Sequence, residues 1–140
     1  MARIKIKMPE KIIASLSIAT RITDHNYGNH VGNDAVVGIL HEARVQWLAL
    51  HQFTEFDAGG ISLIMGHLAV EYKQQIIYPC PLTVEIAIGE ITRASFELFY
   101  CIKNGKGEVM VRAFTGLVCY DYKKNEVLSI PEKLLEVLNG

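Results

Sequence analysis

Apolar and polar residues alternate near the start of the chain in the manner of a β-strand. Between residues 12 and 22, serine and arginine side chains separate the apolar positions. A period of two residues places all the apolar side chains on one face of a strand. This segment is therefore predicted to be a strand with one buried face. Its apolar positions are Ile12, Ala14, Leu16, Ile18 and Ile22.

The period changes to that of an α-helix between about Asp34 and His51. Val37, Ile39 and Leu48 widen the apolar stripe of this segment, so we expect a helix that is apolar around most of its circumference. Such a helix is predicted to be buried on several sides. The positions at helical spacing are Val36, Leu40, Ala43, Trp47 and Leu50.

Four β-segments follow the helix in series. They are predicted at 61–77, 82–88, 96–102 and 109–122, with turn residues at 78–81, 92–94 and 104–107. Pro131 then predicts the start of a short helix that runs through Leu138, because proline suits the first turn of a helix. No internal repeat or linker divides the chain, so residues 1–140 are predicted to form a single domain.

The order of the elements predicts the fold class. A strand, one long helix and four strands in series indicate an α+β protein with an antiparallel sheet. One sheet encloses an apolar helix only if it curls around that helix. Such a sheet leaves its far face or edge to be covered, and a second subunit is a common cover.

Composition narrows the classes of function. Half of the 140 residues are hydrophobic and 21% are charged, which excludes a disordered chain and favours a buried subunit interface. The net charge of −1 argues against a general affinity for nucleic acid. No apolar run reaches the roughly 20 residues of a membrane span or follows the basic start as a signal peptide would. The three cysteines and five histidines lack metal-ligand spacing, so no metal site is expected, and a cytoplasmic location is predicted.

The polar loop at residues 23–34 is the strongest candidate for chemistry. It contains a carboxylate, Asp24, and an imidazole, His30, and it precedes a helix that Asn33 or Asp34 is expected to cap. A helix N-terminus points free N–H groups at whatever occupies the loop, which suits the polarisation of a carbonyl group. A polar turn that only joins a strand to a helix is the alternative interpretation.

Three stretches of the chain resemble the hotdog-fold acyl-CoA thioesterases, in particular the 4-hydroxybenzoyl-CoA thioesterase-like group. The first stretch is Thr23-Asp24 followed by His30-Val31-Gly32-Asn33. The second is Glu42-Ala43-Arg44-Val45-Gln46-Trp47-Leu48, and the third runs from Val70-Glu71-Tyr72-Lys73 through Tyr78-Pro79 to Leu82-Thr83-Val84. The resemblance covers roughly residues 12–130 and implies an antiparallel sheet wrapped around one long central helix.

The resemblance also implies roles for particular residues. Asp24 matches the family's catalytic carboxylate, which acts as a general base or as a nucleophile. The backbone N–H that stabilises the oxyanion falls near Asn33, and His30 matches a polar position of the pocket. The other residues expected to bind substrate are Tyr27, Gly28, Asp34 and Glu42. Lys73 and Arg93 are also expected to do so, because their positive charge would suit the coenzyme A phosphates. The family's sites lie at a dimer interface, so a homodimer or homotetramer is expected.

One departure from the family pattern leaves an alternative open. Five residues separate Asp24 from His30, where family members usually have three. The extra length would allow Asp34 or Glu42 to serve as the working carboxylate. The predicted activity is hydrolysis of an acyl-CoA thioester, or of an acyl group on acyl carrier protein, with no cofactor besides the coenzyme A of the substrate. A non-catalytic acyl-CoA-binding module is the alternative, and a dehydratase acting on hydroxyacyl thioesters is less favoured.

Overall fold

The computed structural model describes residues 3–140, and it confirms the predicted α+β class with an antiparallel sheet. The first strand ends at Ala19 rather than Ile22, because a 3-10 turn at Ile22–Asp24 begins the polar loop. The elements are β1 Ile12–Ala19, α1 Asn33–Leu50, β2 Ser62–Tyr72, β3 Pro81–Ile91, β4 Ser95–Lys103, β5 Val109–Asp121, β6 Glu126–Val127 and α2 Glu132–Leu138.

The strands form one antiparallel sheet in the order β1-β3-β4-β5-β2, with the two-residue β6 added at the end of β5. β1 and β2 therefore lie at opposite edges of the sheet although only α1 separates them in the chain. The connection between them must cross one face of the sheet, and α1 is the element that makes this crossing. The crossing places the polar loop and the start of α1 between the two edges.

The core lies between α1 and the inner face of the sheet. Trp47 on α1 and Tyr100 on β4 are both fully buried there, and alternate residues of the central strands pack around them. The inner side chains of β3 and β4 are the ones that the alternation predicts, and they are Leu82, Val84, Ile86, Phe96, Leu98, Tyr100 and Ile102.

The predicted burial of α1 on several sides is wrong for a single chain. The helix buries one stripe that includes Val36, Leu40 and Trp47 against the sheet. Its opposite side is open to solvent, where Val45 is exposed, and Leu50 is exposed at the C-terminal end of the helix. The apolar residues outside the core stripe therefore belong to a surface rather than to the core. None of the helices in residues 3–140 is long and apolar enough to cross a membrane.

A buried polar network fixes α1 to the sheet and to the segment that follows it. The Arg44 guanidinium donates hydrogen bonds to Glu55 (2.8 Å) and to the Tyr100 hydroxyl (3.0 Å). The Tyr100 hydroxyl in turn lies 2.8 Å from the Thr115 hydroxyl on β5, and the His41 ring lies 2.6 Å from the other oxygen of Glu55. Because Arg44 is buried, it needs the Glu55 carboxylate as its counter-charge.

This network predicts a specific dependence of stability on pH. Burial alone would raise the pKa of Glu55, but the hydrogen bonds from Arg44 and His41 outweigh it and hold the pKa below its ordinary 4.5. A carboxylate whose folded pKa is lowered stabilises the fold above its unfolded pKa and loses that contribution as pH falls through the folded value. The free energy of unfolding is therefore expected to drop below about pH 4.5.

Chemical denaturation between pH 7 and pH 3 checks this expectation. The variant Glu55→Gln should be less stable than the wild type at pH 7, and the gap should narrow as the pH falls. Glu42→Gln, which alters an exposed acid of α1 outside the network, serves as the matched control. A constant gap between Glu55→Gln and the wild type across the range would contradict the assigned role of the carboxylate.

Candidate active site

The polar loop is built around the side chain of Asn26. The side-chain amide oxygen of Asn26 accepts hydrogen bonds from the backbone N–H groups of Gly28 (2.9 Å) and His30 (3.3 Å). The backbone N–H of Asn26 donates to the carbonyl of His30 (2.8 Å). Asn29 adopts a positive φ of 63° at the tip, a conformation that asparagine tolerates. The loop is therefore an ordered turn that presents His30 on one side.

Gly32, rather than Asn33 or Asp34, is the N-cap of α1. Its N–H donates to the carbonyl of Asp24 at 2.8 Å, which closes the loop onto the start of the helix. A Cβ at this position would lie 2.7 Å from the Asp34 carboxylate, so a side chain here would displace that carboxylate. The expected capping by Asn33 or Asp34 is wrong because the chain has already turned into the helix at those residues.

The first turn of α1 has N–H groups that no helical carbonyl accepts. The first such bond of the helix runs from Val36 to the carbonyl of Gly32 at 3.1 Å. The N–H groups of Asn33, Asp34 and Ala35 precede it and face outward at the positive end of the helix dipole. These donors can bind a carbonyl oxygen that gains negative charge during a reaction.

Asp24 is held beside these donors. One oxygen of its carboxylate accepts the N–H of Arg21 at 2.8 Å, and the other lies 3.7 Å from the Arg21 guanidinium. Only a tenth of the Asp24 side chain is exposed, whereas most of the Arg21 side chain is in solvent. The carboxylate therefore stabilises the 3-10 turn. Its second oxygen has only the long contact with the exposed Arg21 guanidinium.

A groove of about 590 Å³ runs between β1 and α1 on the Asp24 side of the helix start. Three carboxylates line it, those of Asp24, Asp34 and Glu42, and we call it the carboxylate groove. Glu42 accepts a hydrogen bond from the Gln46 amide at 3.0 Å, so it does not pair with Arg44. The three acids considered for catalysis thus face one space.

A second cavity of about 340 Å³ lies on the other side of the helix start, next to the end of β2. We call it the His30 cavity. His30, Asn33, Tyr72 and Lys73 line it, together with Asn26, Gln74, Gln75 and four apolar residues. Asp24 is absent from its wall, so the three residues predicted to be catalytic, Asp24, His30 and Asn33, are divided between the two sides of the α1 N-terminus.

Tyr72 joins the edge of the sheet to the start of α1. Its hydroxyl donates a hydrogen bond to the carbonyl of Asn33 at 2.9 Å. Burial, reinforced by the negative charge of Asp34, raises the pKa of Tyr72, so the hydroxyl keeps its proton at neutral pH. No site role was expected for Tyr72 from the sequence, since strand spacing alone does not show that its ring reaches the helix.

A segment near the N-terminus supports this end of β2 from the outer face of the sheet. The N–H of Ile6 donates to the Glu71 carboxylate at 3.0 Å, and the Arg3 guanidinium donates to the carbonyl of Tyr72 at 3.1 Å. The hydrogen bond from Ile6 lowers the pKa of the Glu71 carboxyl, which also lies 3.7 Å from the Lys73 ammonium. No sequence signal linked this segment to the site.

The other residues predicted to bind substrate lie elsewhere. Tyr27 projects fully into solvent from the tip of the loop, and Gly28 forms the adjoining turn. Arg93 lies in the β3–β4 turn, where it bonds to Ser129 at 2.9 Å. Positions along β5 show how far this turn is from the site. β4, which follows the turn, begins opposite Val118 of β5, whereas Tyr72 pairs with Val111 near the other end of β5. Arg93 therefore lies towards the opposite end of the sheet from the site.

Comparisons with known proteins identify the family. The model of the thioesterase-like superfamily matches residues 20–138, so the chain belongs to this superfamily. Comparison with curated proteins gives no significant match.

Solved structures of similar shape establish the hotdog fold. The PA2801 protein, a putative thioesterase from Pseudomonas aeruginosa, is 18% identical, with a TM-score of 0.83 over 91% of this chain and 99% of its own. Slr0204, a 1,4-dihydroxy-2-naphthoyl-CoA thioesterase from Synechocystis, is 17% identical, with a TM-score of 0.81 over 89% and 94%. SAV2348 from Staphylococcus aureus, solved in complex with CoA, is 12% identical, with a TM-score of 0.82 over 96% and 86%.

Proposed function

We propose that the protein hydrolyses an acyl-CoA thioester to a free acid and CoA. The observation that carries the proposal is the exposed first turn of α1, whose three N–H donors lie between the carboxylate groove and the His30 cavity. A thioester that lies across this turn places its carbonyl oxygen at the three donors. Its acyl group and its CoA portion then extend to opposite sides, one towards the carboxylate groove and the other towards the His30 cavity. Membership of the thioesterase-like superfamily supports this reaction class.

Asp24 acts as the general base in this proposal. Its carboxylate takes a proton from a water molecule, and the water oxygen attacks the thioester carbon. The N–H groups of Asn33, Asp34 and Ala35 stabilise the negative charge that develops on the carbonyl oxygen. The C–S bond then breaks, and the CoA thiolate leaves and takes up a proton. The thioester is already reactive, so the chemistry needs no redox cofactor.

Coenzyme A is the proposed carrier of the acyl group. Slr0204 is named for a CoA thioester, and SAV2348 was solved with CoA, which supports this choice. Arg21 beside the carboxylate groove and Lys73 beside the His30 cavity supply positive charge for phosphate groups. Acyl carrier protein is the alternative carrier, and it would dock at the same cations. A cytoplasmic location remains a prediction.

A second copy of the chain is proposed to complete the site. β2 is an edge strand of eleven residues, and no other strand within residues 3–140 pairs with its outer side. Such an edge readily pairs with another strand, and Met65 on it is exposed. The His30 cavity includes the end of β2, so pairing of two β2 strands would bring a second subunit to the site.

The release of free CoA thiol from short, long and aromatic acyl-CoAs tests the proposed hydrolysis and the role of Asp24. Asp24→Asn should lower kcat by about 100-fold or more, since general-base catalysis contributes roughly 10²–10⁴-fold. Asparagine keeps an oxygen that accepts the Arg21 N–H, so the fold should be retained. Glu90→Gln, which removes a charge from an exposed position outside both pockets, is the matched control and is expected to leave kcat within about twofold.

Other outcomes of this assay reassign the function. Activity that survives Asp24→Asn and is lost in Asp34→Asn or in Glu42→Gln would move the base to Asp34 or to Glu42, respectively. Tight binding of acyl-CoA by a wild type that releases no thiol would contradict hydrolysis and indicate the acyl-CoA-binding module.

The oligomeric state of the protein tests the proposed pairing of two β2 strands. Light scattering with size-exclusion chromatography should give at least twice the mass of one chain for the wild type. Met65→Glu should shift the protein towards a monomer and lower the activity, because two glutamates would meet across the paired edges. Glu90→Gln, at an exposed position away from that edge, is the control. A wild-type monomer with full activity would contradict a shared site.

A further inference from the structure

Tyr72 donates its hydroxyl hydrogen to a carbonyl in the first turn of α1. The acceptor is the carbonyl of Asn33, at a distance of 2.9 Å. In the regular pattern of the helix this carbonyl also accepts the N–H of Val37, so the tyrosine adds a second hydrogen bond to it. The peptide group that contains this carbonyl also contains the N–H of Asp34. Tyr72 therefore bonds to one end of a peptide whose other end is one of the three free donors.

This hydrogen bond distinguishes Asp34 from the other two donors. The N–H of Asn33 shares its peptide with the carbonyl of Gly32, and the N–H of Ala35 shares its peptide with the carbonyl of Asp34. Within residues 3–140, no side chain donates a hydrogen bond to either of these two carbonyls. Linked hydrogen bonds polarise one another and strengthen by roughly 10–30% per bond. The Asp34 N–H is therefore the most strongly polarised of the three donors.

Asp34 also lies on the side of the helix start where the general base is proposed. Asp34 and Asp24 both line the carboxylate groove, whereas Asn33 lines the His30 cavity. The thioester carbon must lie within reach of a water molecule on Asp24, so its oxygen lies nearest to the donors on the groove side. Ala35 lines the groove as well, but its peptide lacks the added hydrogen bond. Position and polarisation thus single out the same N–H group.

The Tyr72 hydroxyl keeps its place because other contacts fix the end of β2. The backbone of Tyr72 pairs with Val111 of β5, and its carbonyl accepts a hydrogen bond from the Arg3 guanidinium at 3.1 Å. Burial, together with the negative charge of Asp34, raises the pKa of Tyr72 above its ordinary 10.0. The hydroxyl therefore remains a donor in any assay near neutral pH.

We propose that Tyr72 is a positioning residue that polarises the peptide between Asn33 and Asp34 and makes the Asp34 N–H the principal donor to the substrate carbonyl oxygen. This inference rests on the proposed thioester hydrolysis, because it specifies how the first turn of α1 stabilises the negative charge. Tyr72 acts through the peptide and not on the substrate. Its contribution therefore grows as charge develops on the oxygen, and it belongs to the transition state rather than to substrate binding.

The variant Tyr72→Phe keeps the ring and removes the donor. Removal of an oxyanion donor lowers kcat by about 10²–10³, and weakening one has a smaller effect, so kcat should fall by about threefold to thirtyfold. KM should stay within about twofold, because substrate binding is unchanged. Tyr122→Phe, which removes an exposed hydroxyl just beyond the far end of β5, is the matched control and should leave kcat unchanged. Equal thermal unfolding of both variants and the wild type confirms that the fold is retained.

NMR signals of the first turn give a readout that a merely structural role would not move. A hydrogen bond to a carbonyl shifts the signals of its carbon and of the adjoining amide nitrogen downfield. In the free protein, the carbonyl carbon of Asn33 and the amide nitrogen of Asp34 should therefore move upfield in Tyr72→Phe and stay in place in Tyr122→Phe. When a non-hydrolysable ketone analogue of acyl-CoA binds to the wild type, the amide proton of Asp34 should move further downfield than those of Asn33 and Ala35. That excess should shrink in Tyr72→Phe.

The outcomes separate this inference from the proposed function. Hydrolysis by the wild type with an unchanged kcat in Tyr72→Phe would overturn the inference and leave the thioesterase intact. A defect confined to KM would overturn it as well, because the hydroxyl would then bind substrate. A lower kcat with unmoved signals at Asn33 and Asp34 would also contradict the polarisation. Failure of the wild type to hydrolyse any acyl-CoA would contradict the proposed function itself, and the inference with it.

Discussion

The start of α1 is the point on which the site depends. Two hydrogen bonds hold it in place, one from the distant end of β2 and one from the adjoining loop. The Tyr72 hydroxyl holds the carbonyl of Asn33 from the sheet side, and the carbonyl of Asp24 holds the N–H of Gly32 from the loop side. Both bonds use groups other than the three free N–H donors of the first turn. The helix end is therefore positioned without consuming the groups that would bind a carbonyl oxygen.

The topology of the sheet explains why this point is also where two pockets meet. β1 and β2 form opposite edges, so the connection between them must cross the sheet, and it begins with the polar loop. The side of α1 towards β1 forms the carboxylate groove, and the side towards the end of β2 forms the His30 cavity. The proposed chemistry uses this division, because the thioester lies across the helix start with one substituent on each side and the Asp24 carboxylate in the groove.

Periodic elements were predictable from the sequence because their burial pattern repeats. The helix predicted from about Asp34 to His51 matches α1 to within a residue at each end, and alternation marks the central strands. The exposure of one side of α1 was not predictable in the same way. The sequence shows that a residue is apolar, but it does not show whether that residue packs in the core or lies on an open face, as Val45 does.

The site was only partly predictable because it depends on contacts between distant segments. The motif containing Asp24 and His30 located the loop, and the free N–H groups were expected from the helix start. The sequence did not show that the loop would turn these two side chains to opposite sides of α1. The reach of Tyr72 to Asn33, across 39 positions of the chain, has no local signal either. Arg93 was assigned by charge alone, and its turn lies away from the site.

Backbone amide signals measured by NMR test the central claim, that the first turn of α1 binds the carbonyl oxygen of the substrate. The wild-type protein is titrated with a CoA ketone analogue, in which a methylene group separates the sulfur from the carbonyl and hydrolysis is impossible. The account predicts that the amides of Asn33, Asp34 and Ala35 shift downfield more than any others in residues 20–80. Saturable binding that leaves these three amides in place while signals elsewhere move would contradict it.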